Sequence, residues 1–220
     1  MCDINIQEYT KIIKRKKVLD CIDLHVDSGT TVGIVGKNGS GKTMLLRAIS
    51  GLIRPTTGKV IIDGRELTNR NPFPHSIGIV IEPASLWGQY TAYETLHILA
   101  GIRKKIGKES ILVAMERLGL PANSCIPVGE FSLGMKKRLL IAQAIMEQPE
   151  LLILDEPTNA LDDEGISLFH KLIEEEHQKG TTIFIASHIS EEINLLCPIV
   201  YSISKGKIEA LAETSPSSAP

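Results

Sequence analysis

A chain of 220 residues, 43% hydrophobic and 23% charged, is long enough to bury a core of its own and predicts one soluble globular domain with room for an inserted subdomain. Its formal net charge of −2 argues against a nucleic-acid partner. No apolar run approaches the roughly 18 residues that cross a bilayer, and the start, with Asp3 and Glu8 close to Met1, lacks a signal-peptide core. Cys2, Cys21, Cys125 and Cys197 are far apart with no C-x-x-C pair, so neither a disulfide framework nor a zinc site is expected, and a reducing cytosol is the natural setting.

Residues 4 to 26 alternate apolar and polar in two runs, Ile4 and Ile6, then Ile22, Leu24 and Val26. They predict antiparallel strands joined by a solvated basic turn, Lys14-Arg15-Lys16-Lys17. Thr31 to Val35 is an apolar run, followed by Gly36-Lys37-Asn38-Gly39-Ser40-Gly41-Lys42-Thr43 and a helix-like stretch from Met44 to Ile49. The eight residues fit G-x-x-x-x-G-K-[ST] without a mismatch, and the strand-to-helix context gives the pattern mechanical meaning. Glycines let successive N–H groups turn around an anion, and the following helix adds its positive end. A polyphosphate fits that cradle, with Lys42 on the β- and γ-phosphates and the Thr43 hydroxyl on a bridging Mg²⁺.

Gly51 to Pro55 breaks the helix. Gly58 to Ile62 reads as a strand ending in the Asp63-Gly64 turn signal, and Ile77 to Ile81 as a buried strand that stops at Glu82-Pro83. From Ala84 the pattern becomes helical. Thr91-x-x-Glu94 predicts a capping box for a helix through about Ala100, and Glu109 to Leu118 a second helix closed by Gly119. Ser132 predicts the cap of a third helix, ending near Met146. Leu151 to Leu154 returns to a buried strand; a long helix from about Glu164 to Gly180, a strand from Thr182 to Ala186 and a closing hairpin from Ile199 follow. The expected organisation is one domain over residues 1–212 with a helical subdomain at about 84–148, and a disordered tail over 213–220.

Ligands in α/β sheets bind at the carboxyl ends of strands. Three such ends carry polar residues: Gly36, Asp155-Glu156 and Ser187-His188. Asp155, opposite Thr43, would hold Mg²⁺ directly or through water, and Glu156, one residue further out, is the candidate general base for a water attacking the γ-phosphate. His25, His75, His97, His170 and His177 have no such context.

Phe131-Ser132-Leu133-Gly134-Met135 before a helix, Leu151 to Pro157, Asn159-Ala160-Leu161-Asp162 and His188 follow the phosphate loop in the order and spacing of an ATP-binding-cassette ATPase, which the chain resembles as far as about Ala212. The resemblance implies a P-loop ATPase fold with an antiparallel β subdomain and an inserted helical subdomain. It implies ATP and Mg²⁺ as ligands, and hydrolysis to ADP and phosphate. In the family two cassettes stack head to tail, so Ser132 to Met135 would cover the ATP of a partner cassette, Asn159 to Asp162 would cross the same interface, and His188 would contact the γ-phosphate and position the catalytic carboxylate. Two departures stand out. Glu82 occupies the place of a glutamine that binds Mg²⁺ and the attacking water, and Ile13 that of an aromatic that would stack on adenine, with Tyr9 too early to replace it.

The segments Glu82 to Leu86, Tyr90 to Glu94 and Phe131 to Arg138 resemble the cassettes of bacterial peptide-antibiotic resistance exporters of the bacitracin and lantibiotic-immunity type, in which a glutamate replaces that glutamine. This implies a homodimer working beneath separate transmembrane permease subunits, on the cytoplasmic face of the membrane. A coupling helix would be received near Leu86, Trp87, Tyr90 and Tyr93, some of which serve the core equally well. Two alternatives remain at this point: a soluble ATPase of the same fold, and a regulatory module that closes on ATP without turning it over.

Overall fold

The computed structural model describes residues 2–122 and 124–213. The chain runs β1 (Ile4–Ile13), β2 (Lys16–Val26), β3 (Thr31–Val35), α1 (Lys42–Ile49), β4 (Thr57–Ile62), β5 (Arg65–Glu66) and β6 (Ile77–Val80). The helices α2 (Ala92–Arg103), α3 (Lys108–Arg117) and α4 (Leu133–Ile145) follow, then β7 (Leu151–Asp155), α5 (Asp163–Gln178), β8 (Thr182–Ser187), α6 (Ser190–Leu196), β9 (Ile199–Ser204) and β10 (Lys207–Glu213). Two sheets result. One is antiparallel, in the order β2-β1-β4-β5; the other, β10-β9-β3-β8-β7-β6, is parallel except for β10 at its edge.

The central strands read as unbroken apolar runs because both of their faces are covered. Val32 and Ile34 of β3, Leu151 and Ile153 of β7, and Phe184 and Ala186 of β8 point into a core shared with α1 and with Ile4, Ile6, Ile22 and Leu24 of the antiparallel sheet. Their alternates Leu152, Leu154, Ile183 and Ile185 point into a second core, built from α2 to α6 through Leu96, Met115, Leu139, Phe169 and Ile193. Each fully buried aliphatic side chain stabilises the fold by about 1.5–3 kcal/mol relative to exposure. The parallel sheet is therefore held from both sides, and the loops at its carboxyl ends stand on a rigid base.

The helical stretch between β6 and β7 seats α4 directly on the edge strand. A Cβ on Gly78 of β6 would fall 2.0 Å from the Ala144 carbonyl oxygen, so only glycine permits the approach. The capping box at Thr91 is present: its Oγ1 accepts from the Glu94 amide at 3.3 Å, and the Glu94 carboxylate accepts from the Thr91 amide at 2.9 Å. Ser132 caps α4, accepting from the Met135 amide at 3.1 Å, and Asp162 caps α5, accepting from the Gly165 amide at 3.0 Å.

Two expectations change. Lys14 and Arg15 alone make the first turn, with left-handed φ of 47° and 65°, whereas Lys16 and Lys17 already belong to β2. Glu213, read as the first residue of a tail, ends β10; the rest of the predicted tail, 214–220, lies outside the described residues.

Candidate functional site

The carboxyl ends of β3, β7 and β8 open into a cavity of about 670 Å³. Lys37 to Thr43 line its floor, Asp155 and Glu156 one wall, and Glu82, Asn159 and His188 its mouth. The loop after β3 turns through Gly39 at φ +78° and Gly41 at φ +120°, values that a side chain makes costly, and so delivers Lys42 and Thr43 to the first turn of α1. That first turn has unpaired N–H groups and a positive dipole end facing the cavity.

The charged side chains are bonded to one another. Lys42 Nζ donates to the Gly36 carbonyl at 2.7 Å and lies 3.3 Å from Glu156 Oε1. Glu156 Oε2 is 2.8 Å from His188 Nδ1 and accepts weakly from the His188 amide at 3.4 Å. Thr43 Oγ1 donates to Asp155 Oδ2 at 2.7 Å. Burial pushes the Asp155 carboxyl above the ordinary carboxylate range; the Thr43 hydrogen bond and Lys42 oppose that, while Glu156 and Glu82 add to it. Five lysines, Lys16, Lys17, Lys37, Lys42 and Lys205, line the cavity against the three carboxylates of Glu82, Asp155 and Glu156, which suits a polyanion.

The residues present fit Mg²⁺ and phosphate. Asp155 Oδ1 is buried and has no hydrogen-bond partner among the described residues, beside an oxygen already engaged by Thr43. A hard divalent cation satisfies such a pair of oxygens. Ser40 Oγ, inside the glycine loop, is likewise buried without a partner among the described residues, where a phosphate oxygen would supply one.

The other predicted residues lie apart from this cavity. Ser132, Leu133, Gly134 and Met135 sit at the N-terminus of α4, with Leu133 73% exposed. Gly134 abuts the following loop: a Cβ there would meet the Ala160 carbonyl oxygen at 2.7 Å. Of Asn159 to Asp162, only Asn159 reaches the cavity; Ala160 stands at φ 71°, Leu161 packs on the core and Asp162 caps α5. Tyr9 is fully buried, its hydroxyl donating to the Ile53 carbonyl at 3.2 Å, and Ile13 is 39% exposed and does not line the cavity. Leu86 and Tyr93 pack against the core, whereas Trp87 is 47% exposed and meets Tyr90 edge to face at 6.2 Å.

Sequence reasoning passed over Lys137. Its ammonium donates to Glu82 Oε1 at 2.7 Å and to the Glu156 carbonyl at 3.0 Å. The signal was present: Lys137 precedes Ile141 by four residues and Ala144 by seven, on the apolar stripe of α4, where a charge is out of pattern.

A phosphate loop opening a helix, with an aspartate and a glutamate at the next strand end and a histidine beyond a third, defines a P-loop nucleotide-binding cassette. The family model described as ABC transporter matches residues 19–159, and the chain belongs to that family. It is 46% identical over 206 residues to the uncharacterized ABC transporter ATP-binding protein YybJ of Bacillus subtilis, covering 94% of each chain. To the bacitracin transport ATP-binding protein BcrA of Enterococcus faecalis it is 38% identical over 207 residues, covering 93% of this chain and 67% of that one. Among solved structures it is similar to the dimeric cassette MJ0796, with a TM-score of 0.82 at 25% identity, covering 96% of this chain and 99% of that one. The chain is an ATP-binding subunit of an ABC transporter and hydrolyses ATP. Cassettes of this kind dimerise and pair with transmembrane components, and among the described residues no helix is long and apolar enough to cross a membrane.

Proposed function

We propose that the protein is the motor of a bacterial peptide-antibiotic exporter, in which Glu156 is the general base for hydrolysis and two copies of the chain close on two ATP molecules. The observation that carries the reading is the chain of contacts Gly36–Lys42–Glu156–His188 at the mouth of the phosphate loop. An arriving triphosphate competes for Lys42 Nζ, the cation now beside Glu156 Oε1. Glu156 Oε1 is then free to orient a water and accept its proton, while His188 holds the second carboxylate oxygen. Thr43 and Asp155 would hold Mg²⁺, with Glu82 beside them; when bound, the ion neutralises charge on the β- and γ-phosphate oxygens.

Homodimerisation is supported by what one chain does not bring to its own cavity. Ser132 to Met135 present a helix N-terminus, a serine and an exposed leucine to solvent, away from the phosphate loop. A second copy placed head to tail would use those donors to cover the γ-phosphate, and Asn159 to Asp162 lie between the two positions. The similarity to BcrA and the glutamate at position 82 support peptide-antibiotic export, and Trp87 with Tyr90 supports docking of separate permease subunits, which would hold the cassette at the cytoplasmic face of the membrane.

The test is Mg²⁺-dependent ATP hydrolysis across protein concentration, with Glu156→Gln as control, followed by co-expression with the accompanying membrane proteins. Expected are a rate per chain that rises with concentration, loss of at least about a hundredfold in Glu156→Gln, and co-purification of the cassette with a permease. Undiminished turnover by Glu156→Gln would remove the base assignment. A cassette that hydrolyses ATP but never binds a membrane partner would point to a soluble ATPase of the same fold.

A further inference from the structure

We infer that Lys137 is a positioning residue for hydrolysis, a buried cation that holds Glu82 and the backbone of Glu156 in one grip and so ties the base to α4, the helix whose N-terminus carries Ser132 to Met135. The inference deepens the reading of Glu156 as general base and rests on it. Lys137 is only 7% exposed. An ammonium in that position is strongly destabilising unless a charge and hydrogen bonds compensate it. Glu82 supplies the charge, and the Glu156 carbonyl a further acceptor.

Both partners need holding. Glu156 stands at φ 47°, in the left-handed region that a residue with a side chain rarely adopts. Its amide is held by the Ala186 carbonyl at 2.8 Å, and its carbonyl by Lys137. The direction of the Glu156 side chain toward Lys42 and His188 follows from that backbone. Glu82 is held from two sides: its carbonyl accepts from Arg47 Nη2 of α1 at 3.0 Å, and its carboxylate from Lys137 of α4. A neutral glutamine at position 82 would leave the Lys137 ammonium without its carboxylate partner, and a neutral residue at position 137 would leave the Glu82 carboxylate without its cation. Glu82 and Lys137 are thus a matched pair, in which the losses from the two single changes overlap instead of multiplying.

The geometry also gives the pair a direction of action. Lys137 lies five residues from Ser132, on the same rigid helix. A shift of that helix when a second copy engages its N-terminus would be felt at the Glu156 carbonyl through a single side chain.

The experiment is a double-mutant cycle with Glu82→Gln, Lys137→Gln and both together, with Lys137→Arg as the conservative variant and Glu156→Gln as the control for the base. Each is read by kcat and KM for ATP, by melting temperature, and by amide hydrogen exchange of the peptide spanning 156–159. Expected for Lys137→Gln is a fall in kcat of about tenfold with KM changed less than about threefold, and faster exchange at 156–159 with or without nucleotide. The added loss on making Lys137→Gln in the Glu82→Gln background should be under about threefold, and Lys137→Arg should keep kcat within about threefold of the parent. If the single losses multiply, or if Lys137→Gln lowers the melting temperature but leaves kcat and the exchange at 156–159 unchanged, the positioning role is wrong. Should Lys137→Gln not fold, Lys137→Arg and the double variant decide. Retained turnover in Glu156→Gln would instead sink the base assignment, an outcome separate from multiplicative effects at Glu82 and Lys137.

Discussion

Removing the guanidinium of Arg117 should destabilise the protein far more than a surface charge change does. Arg117 ends α3 and reaches α5: Nη1 lies 2.7 Å from Glu176 Oε1, Nη2 2.8 Å from Glu175 Oε2, and Nε donates to the same Glu175 oxygen at 2.9 Å. Glu176 is 2% exposed; its other partners are Lys179 Nζ at 2.8 Å and the Thr181 hydroxyl at 3.4 Å. Arg117→Met keeps the apolar stem and leaves Glu176 buried with one solvated lysine and the long hydrogen bond from Thr181. Stripping one partner from a buried pair costs about 3–5 kcal/mol; the remaining Lys179 places this case near about 3 kcal/mol. The half-buried Glu175 adds no more than about 1 kcal/mol. For a chain of this size each kcal/mol moves the melting temperature by about 2–4 °C, so the expected drop is about 6–12 °C. Calorimetry and urea titration measure it, and raising the salt should narrow the gap little because the pair is buried. Arg117→Met/Glu176→Gln should recover about half or more of the loss, since the uncompensated charge is gone. A loss below about 1 kcal/mol, or a double variant no more stable than the single one, would refute the reasoning.

Thr91→Ala should cost about 1 kcal/mol through loss of the α2 cap. Hydrogen bonds from the Thr91 amide and then its hydroxyl hold the Glu94 carboxyl below its ordinary value of 4.5, so its contribution is present above that value and lost as pH falls through the lower folded one. The stability gap between wild type and Glu94→Gln should therefore close on acidification below pH 4.5, which urea titrations across pH 3–6 would show. Cys21 and Cys125 are exposed and should react at once with a thiol reagent at pH 8, whereas burial pushes the Cys2 and Cys197 thiols up to about 12, so their reaction should follow unfolding in urea. Immediate labelling of Cys197 in the native protein would contradict its burial. The cavity wall offers the stems of Lys16 and Lys17 and Val18 where an aromatic ring would supply about 1–3 kcal/mol of base stacking. GTP should thus compete with ATP within about tenfold, and an ATP preference beyond about a hundredfold would show that a base-recognising group has been overlooked.

Much of the fold was legible because its signals are local. The period-2 runs of β1 and β2, the both-positive φ turn at Asp63-Gly64, the capping box at Thr91 and the uninterrupted apolar runs of β3, β7 and β8 each need only a few neighbours to be recognised. The seven-residue α6 gave no such signal: it is two turns long and has no side-chain cap, so neither periodicity nor capping marks it. The two-residue β5 exists only because β4 offers it an edge. In the site, the phosphate loop, Asp155, Glu156 and His188 could be expected to meet because strands of one parallel sheet end together. The partner of Glu82 could not: Lys137 is 55 residues away, on a helix whose placement depends on the Gly78–Ala144 contact. The extent of the first turn was misjudged for a similar reason. Four consecutive basic residues look alike in sequence, and only pairing with Ile12 and Ile13 of β1 assigns Lys16 and Lys17 to a strand whose start faces the cavity.

The two cores explain why the site stands where it does. One core fixes the glycine loop, by burying Leu45, Leu46 and Ile49 of α1 against the same faces of β3, β7 and β8 that the antiparallel sheet covers. The other fixes α4, and with it Ser132 and Lys137, against the opposite face. Above the shared strands, at their carboxyl ends, groups from the two layers meet: Arg47 of α1 and Lys137 of α4 both bond to Glu82, and Lys42 of α1 and Lys137 of α4 both bond to Glu156. Apolar packing alone would let the two layers shift against each other with little change at the sheet ends. The four polar contacts remove that freedom, because any relative motion of α1 and α4 must lengthen a bond to Glu82 or Glu156. A nucleotide would act on α1 through its phosphates, and a second cassette would act on α4 through its N-terminus. The two glutamates are the groups at which those influences would meet.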